Sequence, residues 1–522
     1  MKTLNTYLSK LLSVILLVFC FSAFSQDPGS LDLNFNISGI VISDITPGYS
    51  DVIKSIVVQA DGKIVVAGYT NSSTFSNFVV ARYNPDGSFD NSFGNNGIVI
   101  DNSIIQDNFF NSVALAPSGK IVAGGYMYDG GDMKFLVVRF MPDGTRDNTF
   151  GNNGIVTTDI GYTDKVNSIL VQPNGKIVAA GSSEYVSINF ALARYNNNGD
   201  LDNTFSYDGI VTTELGNNDD DRIQSIALQA DMKIVVAGYT NGSNIALARY
   251  MPDGLLDNAF NSNGIVITDI FESDDEKAYD LAIKSTGEIL ISGKAHVITR
   301  NDRFIVAQYT SNGTLDNSFG TGGYTITDVS PGGNGICRSI AIQEDDKIIL
   351  AGDASFNTND MVLVRYLASG TLDYGFGTNG IVITDYYSND EEVYSLAIQP
   401  DLKILVAGNS WFGSDFDFII ARYHSGLHVG IEKNLKSISE IQVFPIPSSN
   451  SINLNYTLGR DEHVKINIIN SIGKTILQIA DFRQSCGVHK IIHDISYFPS
   501  GVYFLKFDIG ENSLLKKFIK VD

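Results

Sequence analysis

Two sets of side chains in this sequence have the types and the spacing for chemistry. The first is acidic. Asp44, Asp101, Asp159, Glu214, Asp269, Asp328 and Asp385 each follow a short apolar stretch, mostly of the form Gly-Ile-Val, at a steady interval along the chain. Three of the segments behind them add acidic clusters, at 219–221, 274–276 and 390–392. Carboxylates gathered on one face suit Ca2+ at the millimolar affinities of extracellular sites, or a basic partner. The plainer reading is that each acid caps a turn or accepts backbone N–H bonds. The lack of a full D-x-D-x-D-G ligand ladder favours that plainer reading.

The second set is aromatic. Tyr126, Tyr128, Tyr185, Phe356, Trp411, Phe412 and Phe416 fall in segments that differ from one interval to the next. Flat rings on exposed loops offer surfaces for sugar rings or for a protein partner, and equally they cover sheet edges. Catalytic constellations are sparse. All six histidines lie after residue 295, and His424 with His428 has metal-pair spacing but no third ligand nearby. H-E-x-x-H, G-x-S-x-G, C-x-x-C and the phosphate-binding loop are all missing from the sequence. Scattered acids could make a glycosidase pair, yet no spacing identifies one. No catalytic or cofactor-binding residue is assigned. A binding or structural module is the leading reading; a carbohydrate-active enzyme and a calcium-dependent adhesin are the alternatives.

The elements that must position these residues repeat. Arg82, Arg139, Arg194, Arg249, Gln308, Arg365 and Arg422 hold one phase, with spacings between 55 and 59 residues. Phe35, Phe93, Phe150, Phe205, Phe260, Phe319 and Phe376 hold a second phase, each with a glycine four residues on. Within one unit, four short strands alternate with turns: "IKSIVVQ", the hairpin turn "ADG", "KIVVAGYT", a variable loop, "NFVVARY", a long loop, and "GIVI". Runs such as "KIVVAG" are nearly continuous in Val and Ile, the mark of a sheet covered on both faces. Seven such sheets predict an all-β fold, a seven-bladed β-propeller over residues 31–426.

The ends of the repeat are cut in the same place. The first copy begins at an outer strand, "GIVISDI" at 39–45, and the last, ending in "ARY" at 421–423, lacks one. Pairing the two closes the ring and leaves no sheet edge open between first and last blade. Arg and Asp recurring in nearly every blade read as scaffold, because a reacting group is needed once while a loop tie is needed in every blade.

Composition bounds the partners. The 522 residues are 43% hydrophobic and 11% aromatic, as in a folded protein. Residues 1–25 carry Lys2, Lys10 and an apolar run from Leu11 to Phe21, and read as a cleaved signal peptide. Without those lysines the net charge of -22 becomes -24, which disfavours nucleic acid and anionic membrane surfaces. No later run is apolar for the roughly 18 residues of a membrane helix. A soluble or surface-held monomer is expected, without a structural disulfide between Cys337 and Cys486. Residues 427–437 read as a linker, and 438–522 as a small β-sandwich with nine Lys/Arg against eight Asp/Glu.

The "DGSFDNSFGNNGIV" loops joined to "KIVVAG" and "ARY" strands resemble the delta-60 repeat family of bacterial secreted proteins, which implies no general catalytic function. The tail, with "VFPIPSSNSINL", "SIGKTIL", "DISYFPSGVYFLKF" and "KKFIKV", resembles the type A C-terminal sorting domain of the type IX secretion system of Bacteroidota. Ile446 stands where that family usually has Asn between two prolines. The resemblance implies the secretion machinery as a partner, export to the cell surface or medium, and removal of the tail or its use for anchoring.

Overall fold

The computed structural model describes residues 27–101, 104–216, 220–240, 244–270, 275–297, 301–427, 438–444, 448–458, 461–470, 474–509 and 512–521. The signal segment, residues 428–437 of the linker, Asp219, Asp274, Pro445–Pro447 and the start of "SIGKTIL" lie outside them. Two compact units result, one running to Leu427 and one over His428–Asp522.

The first unit is a ring of seven four-stranded antiparallel blades, the second and third of which are joined into one eight-stranded sheet by a parallel bridge between Met133 and Thr163. The first blade shows the pattern, with strands Asp51–Val58, Ile64–Thr70, Asn77–Tyr83 and Ile98–Ile100 from the inside outwards. Its second and third strands are buried almost throughout, as their unbroken Val and Ile content requires. The hydrophobic core is a set of seven layers, each shared between two successive blades. The last layer joins Ile53, Ile56 and Val66 of the first blade to Leu405, Phe418 and Ile420 of the last.

The N-terminal strand closes the ring as its sequence requires. Ile40–Ser43 pairs antiparallel with Asp415–Tyr423, Ile40 facing Ala421 and Ser43 facing Phe418. The blade so completed has the order of every other: Glu391–Ile398, Ile404–Phe412, Asp415–Tyr423, then the strand from the N-terminal segment. Asp32 anchors that segment, lying 2.8 Å from Arg422 and 2.7 Å from Lys403.

Every innermost strand carries a β-bulge. In the first blade Ile53 and Ser55 face the adjacent residues Gly68 and Ala67, leaving Lys54 as the extra residue. The bulge drives the backbone against the next strand, where a Cβ on Gly68 would lie 1.8 Å from the carbonyl oxygen of Val52. The glycine of each "AG" pair, through Gly125 and Gly181 to Gly408, meets the same obstacle. A second tie links blades at the "ARY" tyrosine: Tyr83 bonds Ser43, Tyr250 bonds Thr213 and Tyr423 bonds Thr384, each on the outer strand of the preceding blade.

The second unit is a β-sandwich. A sheet of Ile438–Phe444, Ser451–Leu458 and Gly487–Asp494 accompanies a sheet of Thr475–Gln484, Glu462–Asn470, Gly501–Ile509 and Asn512–Lys520. Its core includes Ile452, Leu454, Val464, Ile466, Leu505 and Phe507.

Candidate functional site

The antiparallel order gives the propeller two unlike faces. One holds the tight hairpin turns and the long "DGSFDNSFGNNG" loops; the other holds the variable loops and the handover segments that run from one blade to the next.

On the first face the recurring Arg, Asp and Phe form one structural unit. Arg82 Nε lies 2.7 Å from Asp90, its guanidinium stacks 4.5 Å over the buried Phe93, and it donates to the carbonyl of Pro142 in the next blade. Arg139, Arg194, Arg249, Arg365 and Arg422 repeat the acid and ring contacts. These residues tie loop to strand in six blades, and Gln308 with Asp316 does so in the fifth, so this face is scaffold.

The handover acids are not gathered into one ring site. Asp101 stands one register position earlier than the others, where its counterparts are Ser43, Thr158, Thr213, Thr268, Thr327 and Thr384. It is accordingly buried, and it pairs with Arg146. The other six are exposed. Asp159 lies 3.4 Å from Lys134, and Asp328 lies 3.1 Å from Arg303. Asp385 accepts the N–H of Ser388 at 2.6 Å.

Among the described residues, acids converge to metal-ligand distance in two places, Asp44 with Asp51 and Asp417, and Asp360 with Asp385 and Glu391. Within each trio one oxygen per residue lies within 4.8 Å of the others. Burial first, then Asp44 and Asp415, pushes the Asp417 carboxyl up to about 6. Burial likewise takes Asp51 to about 6, and Glu391, with Asp360 and Asp385 nearby, to about 7. The acidic ring expected at Asp44, Asp101, Asp159, Glu214, Asp269, Asp328 and Asp385 thus contributes one member to each trio. Of the remaining members, Asp51 and Glu391 stand at the start of innermost strands as Asp164, Asp221 and Glu276 do, while Asp417 and Asp360 occupy a position whose residue type varies between blades.

The aromatic residues divide. Tyr185, Phe356, Trp411 and Phe412 are exposed. Phe416 is half-buried and meets Trp411 edge-on at 5.0 Å. Tyr126 is half-buried, stacked 4.9 Å from Phe109, with Lys165 Nζ 4.9 Å from its ring. Tyr128 sits edge-on to it at 6.4 Å. Two exposed rings escaped the sequence reading because they lie in handover segments. Tyr162, 59% exposed, stacks on the 69% exposed Tyr185 at 5.6 Å and 16°. Tyr387, 80% exposed, stands against Tyr386.

The bulges build the third feature, a polar cavity of about 280 Å³ on the propeller axis. Each blade lends it a bulged residue and its neighbour, from Lys54 and Ser55 to Tyr394 and Ser395. Lys54 Nζ lies 3.4 Å over the ring of Tyr394, with Arg338 5.0 Å from the same ring. Burial, then Arg338, pushes the Lys54 amine down to about 7. The serines link blades: Ser55, Ser112, Ser339 and Ser395 each accept an N–H from the next blade. Asp280 takes the serine position in the fifth blade and accepts from Ser225, Ser339, Ile340 and Leu281. The signal was present in sequence, as a polar pair inside each apolar inner strand: "KS", "NS", "NS", "QS", "YD", "RS", "YS".

Fold and faces define a closed repeat propeller joined to a β-sandwich tail. Residues 59–93, 116–150, 172–205, 229–260, 284–319, 343–376 and 399–426 match the beta-propeller domain of unknown function DUF5122, and 442–521 match the secretion system C-terminal sorting domain. The chain is a seven-repeat propeller of that kind carrying a type IX sorting domain, which takes it to the secretion machinery and the cell exterior. No curated protein matches the chain. Similar solved structures include the polysaccharide lyase Uly1, at 10% identity over 77% of this chain and 98% of that one, TM-score 0.44. A protein of unknown function from Dyadobacter fermentans follows at 10% identity, 74% and 97% coverage and TM-score 0.39. A fungal alcohol oxidase of the AA5 family, in complex with copper, has 12% identity, 92% and 98% coverage and TM-score 0.39.

Proposed function

We propose that the propeller is an exported binding module that takes a glycan on its variable-loop face. The observation that carries the reading is the contrast between the two faces. One repeats the same Arg–Asp–Phe tie and, among the described residues, exposes only the isolated rings Tyr207 and Tyr374, while the other groups exposed, blade-specific rings at Tyr162 with Tyr185, Phe356, Tyr387, and Trp411 with Phe412. Flat rings with a polar edge favour ligands that are apolar on one side and hydroxylated on the other, as sugars are. The stacked Tyr162–Tyr185 pair and the Trp411–Phe412 loop are the platforms assigned to it.

An enzyme reading finds less support. Glycoside hydrolysis needs two carboxyl groups facing one sugar. Asp280 is the carboxylate that lines the axial cavity, and its oxygens already accept four hydrogen bonds.

A glycan-array screen of the intact protein, repeated with Tyr185→Ala and Trp411→Ala, tests the reading. Each variant should keep its melting temperature and lose about tenfold in affinity, the loss of roughly 1.4 kcal/mol. Glycan binding that survives both substitutions, or a screen with no binder, overturns it.

A further inference from the structure

The three acids at the ring's closing seam come from three separate pieces of chain. Asp44 follows the outer strand Ile40–Ser43 that the N-terminal segment lends to the last blade. Asp417 lies on the third strand of that blade, next to Phe418, which faces Ser43. Asp51 opens the innermost strand of the first blade. Their carboxylate oxygens meet within 4.8 Å, a spread that oxygens at 2.3–2.6 Å from one Ca2+ can span.

Two of these acids are buried with an oxygen left over. Asp51 is fully buried; its Oδ2 accepts the N–H groups of Ile45 at 2.6 Å and Thr46 at 3.0 Å, while its Oδ1 has no partner. Asp417 is 5% exposed, and its Oδ1 also has none. A buried carboxylate oxygen without a donor costs several kcal/mol unless something else satisfies it. Among the described residues no Lys or Arg pairs with any of the three.

Two other blades carry a side-chain cation at this place. The residue in register with Asp417 is Lys134 in the second blade and Arg303 in the fifth, one residue before Phe135 and Phe304 as Asp417 precedes Phe418. There the side-chain cation pairs with the handover acid, Asp159 or Asp328. Asn77, Asn189 and Asn244 hold the position in three further blades; in the last blade it is itself acidic, and among the described residues no side-chain cation meets the handover acid there. The trio Asp360, Asp385 and Glu391 repeats the register one blade earlier, but both Glu391 oxygens are taken, by the Tyr386 N–H at 3.2 Å and the Ser410 hydroxyl at 3.0 Å.

We infer that Asp44, Asp51 and Asp417 form a binding site for a hard divalent cation, Ca2+ at extracellular concentration, which clamps the N-terminal strand to the first and last blades at once. The inference is independent of the glycan reading: it concerns ring closure and stands if no sugar binds.

The test uses the full chain, stripped with chelator and titrated with Ca2+ in calorimetry and thermal unfolding, with Mg2+ as a second arm. Ca2+ in the millimolar range should bind and raise the melting temperature. Asp417→Asn should abolish that rise, yet in chelator melt no lower than the parent, since it removes one of three repelling charges. Asp417→Lys, copying Lys134, should melt near the calcium-loaded parent and ignore the metal. A parent indifferent to Ca2+ overturns the inference. So does an Asp417→Asn variant with the full response, or a response to Mg2+ alone.

Discussion

Lys284 donates to Oε1 of Gln308, and by doing so reverses a pairing made elsewhere in the ring. In the first blade Arg82 on the third strand donates to Gln59 at the end of the innermost strand, 3.4 Å away, and Arg249–Gln229 and Arg365–Gln343 do the same. The fifth blade has exchanged cation and amide. Lys284 also stands over Phe319 at 5.6 Å, where the other blades have a guanidinium, and Gln308 keeps the bond to the loop acid Asp316 at 2.7 Å. What looks like a gap in the arginine phase is a compensated swap.

Gln308→Arg alone should take from Lys284 its Oε1 acceptor and set a guanidinium against its amine, destabilising the propeller by about 1–2 kcal/mol. Gln308→Arg with Lys284→Gln should recover most of that loss, a coupling typical of contacting residues. Urea unfolding of the parent, both single variants and the double variant closes the cycle.

Gly68→Ala should cost at least about 3 kcal/mol, because the new methyl meets the backbone oxygen of Val52 and not a movable side chain. The expected reading is a large drop in denaturation midpoint. Gly130→Ala, in a loop where the added Cβ meets nothing within 4 Å, is the control for composition and carries only the cost of its positive φ.

Deleting residues 31–45 removes the outer strand of the last blade and the Asp32 anchor together. The exposed edge at Asp415–Tyr423 should then pair with another chain or drive unfolding. Light scattering should show oligomers or aggregate; a monomer with the parent's melting temperature would sink the closure role.

The loop acids give stability a definite pH sense. Burial works against the ionised form of Asp90, Asp147 and Asp202, but Lys63, Lys120 and Lys176, the neighbouring hydroxyls and the arginines outweigh it and hold each carboxyl well below its usual 3.8. A depressed folded-state pKa stabilises above the unfolded value and is lost as pH falls through the folded one. Each should contribute roughly 2 kcal/mol at neutral pH, a share that shrinks as the pH falls below about 4 and is gone only below the folded-state value. Thermal unfolding between pH 7 and pH 2 should show the fall beginning below about pH 4, and Asp147→Asn should make it shallower.

How much of this was legible in sequence follows from where the information lies. The blades, the closing strand and the Arg–Asp–Phe ties are local patterns repeated in one phase, so seven copies announce them. The cation trio is not local. Asp44 belongs to the acidic phase, but Asp51 looks like any strand opening and Asp417 like one more loop acid, and only register across the seam brings them together. Asp101 misled by a single residue, its equivalents being hydroxyls that bond the "ARY" tyrosine. Phe140, which follows it in the ring, has no hydroxyl to receive, so the exchange was written at two positions 39 residues apart.

The seam also sets an order in time. The strand at Ile40–Ser43 is made before any complete blade, while its partner at Asp415–Tyr423 is made after all the others. Until then the early strand has no sheet to join, and the first and last interfaces stay wet. Pairing of such distant segments is slow and leaves apolar edges exposed meanwhile. A ring of this kind is an open arc while it is being made, and becomes a finished surface only when its oldest strand meets its newest.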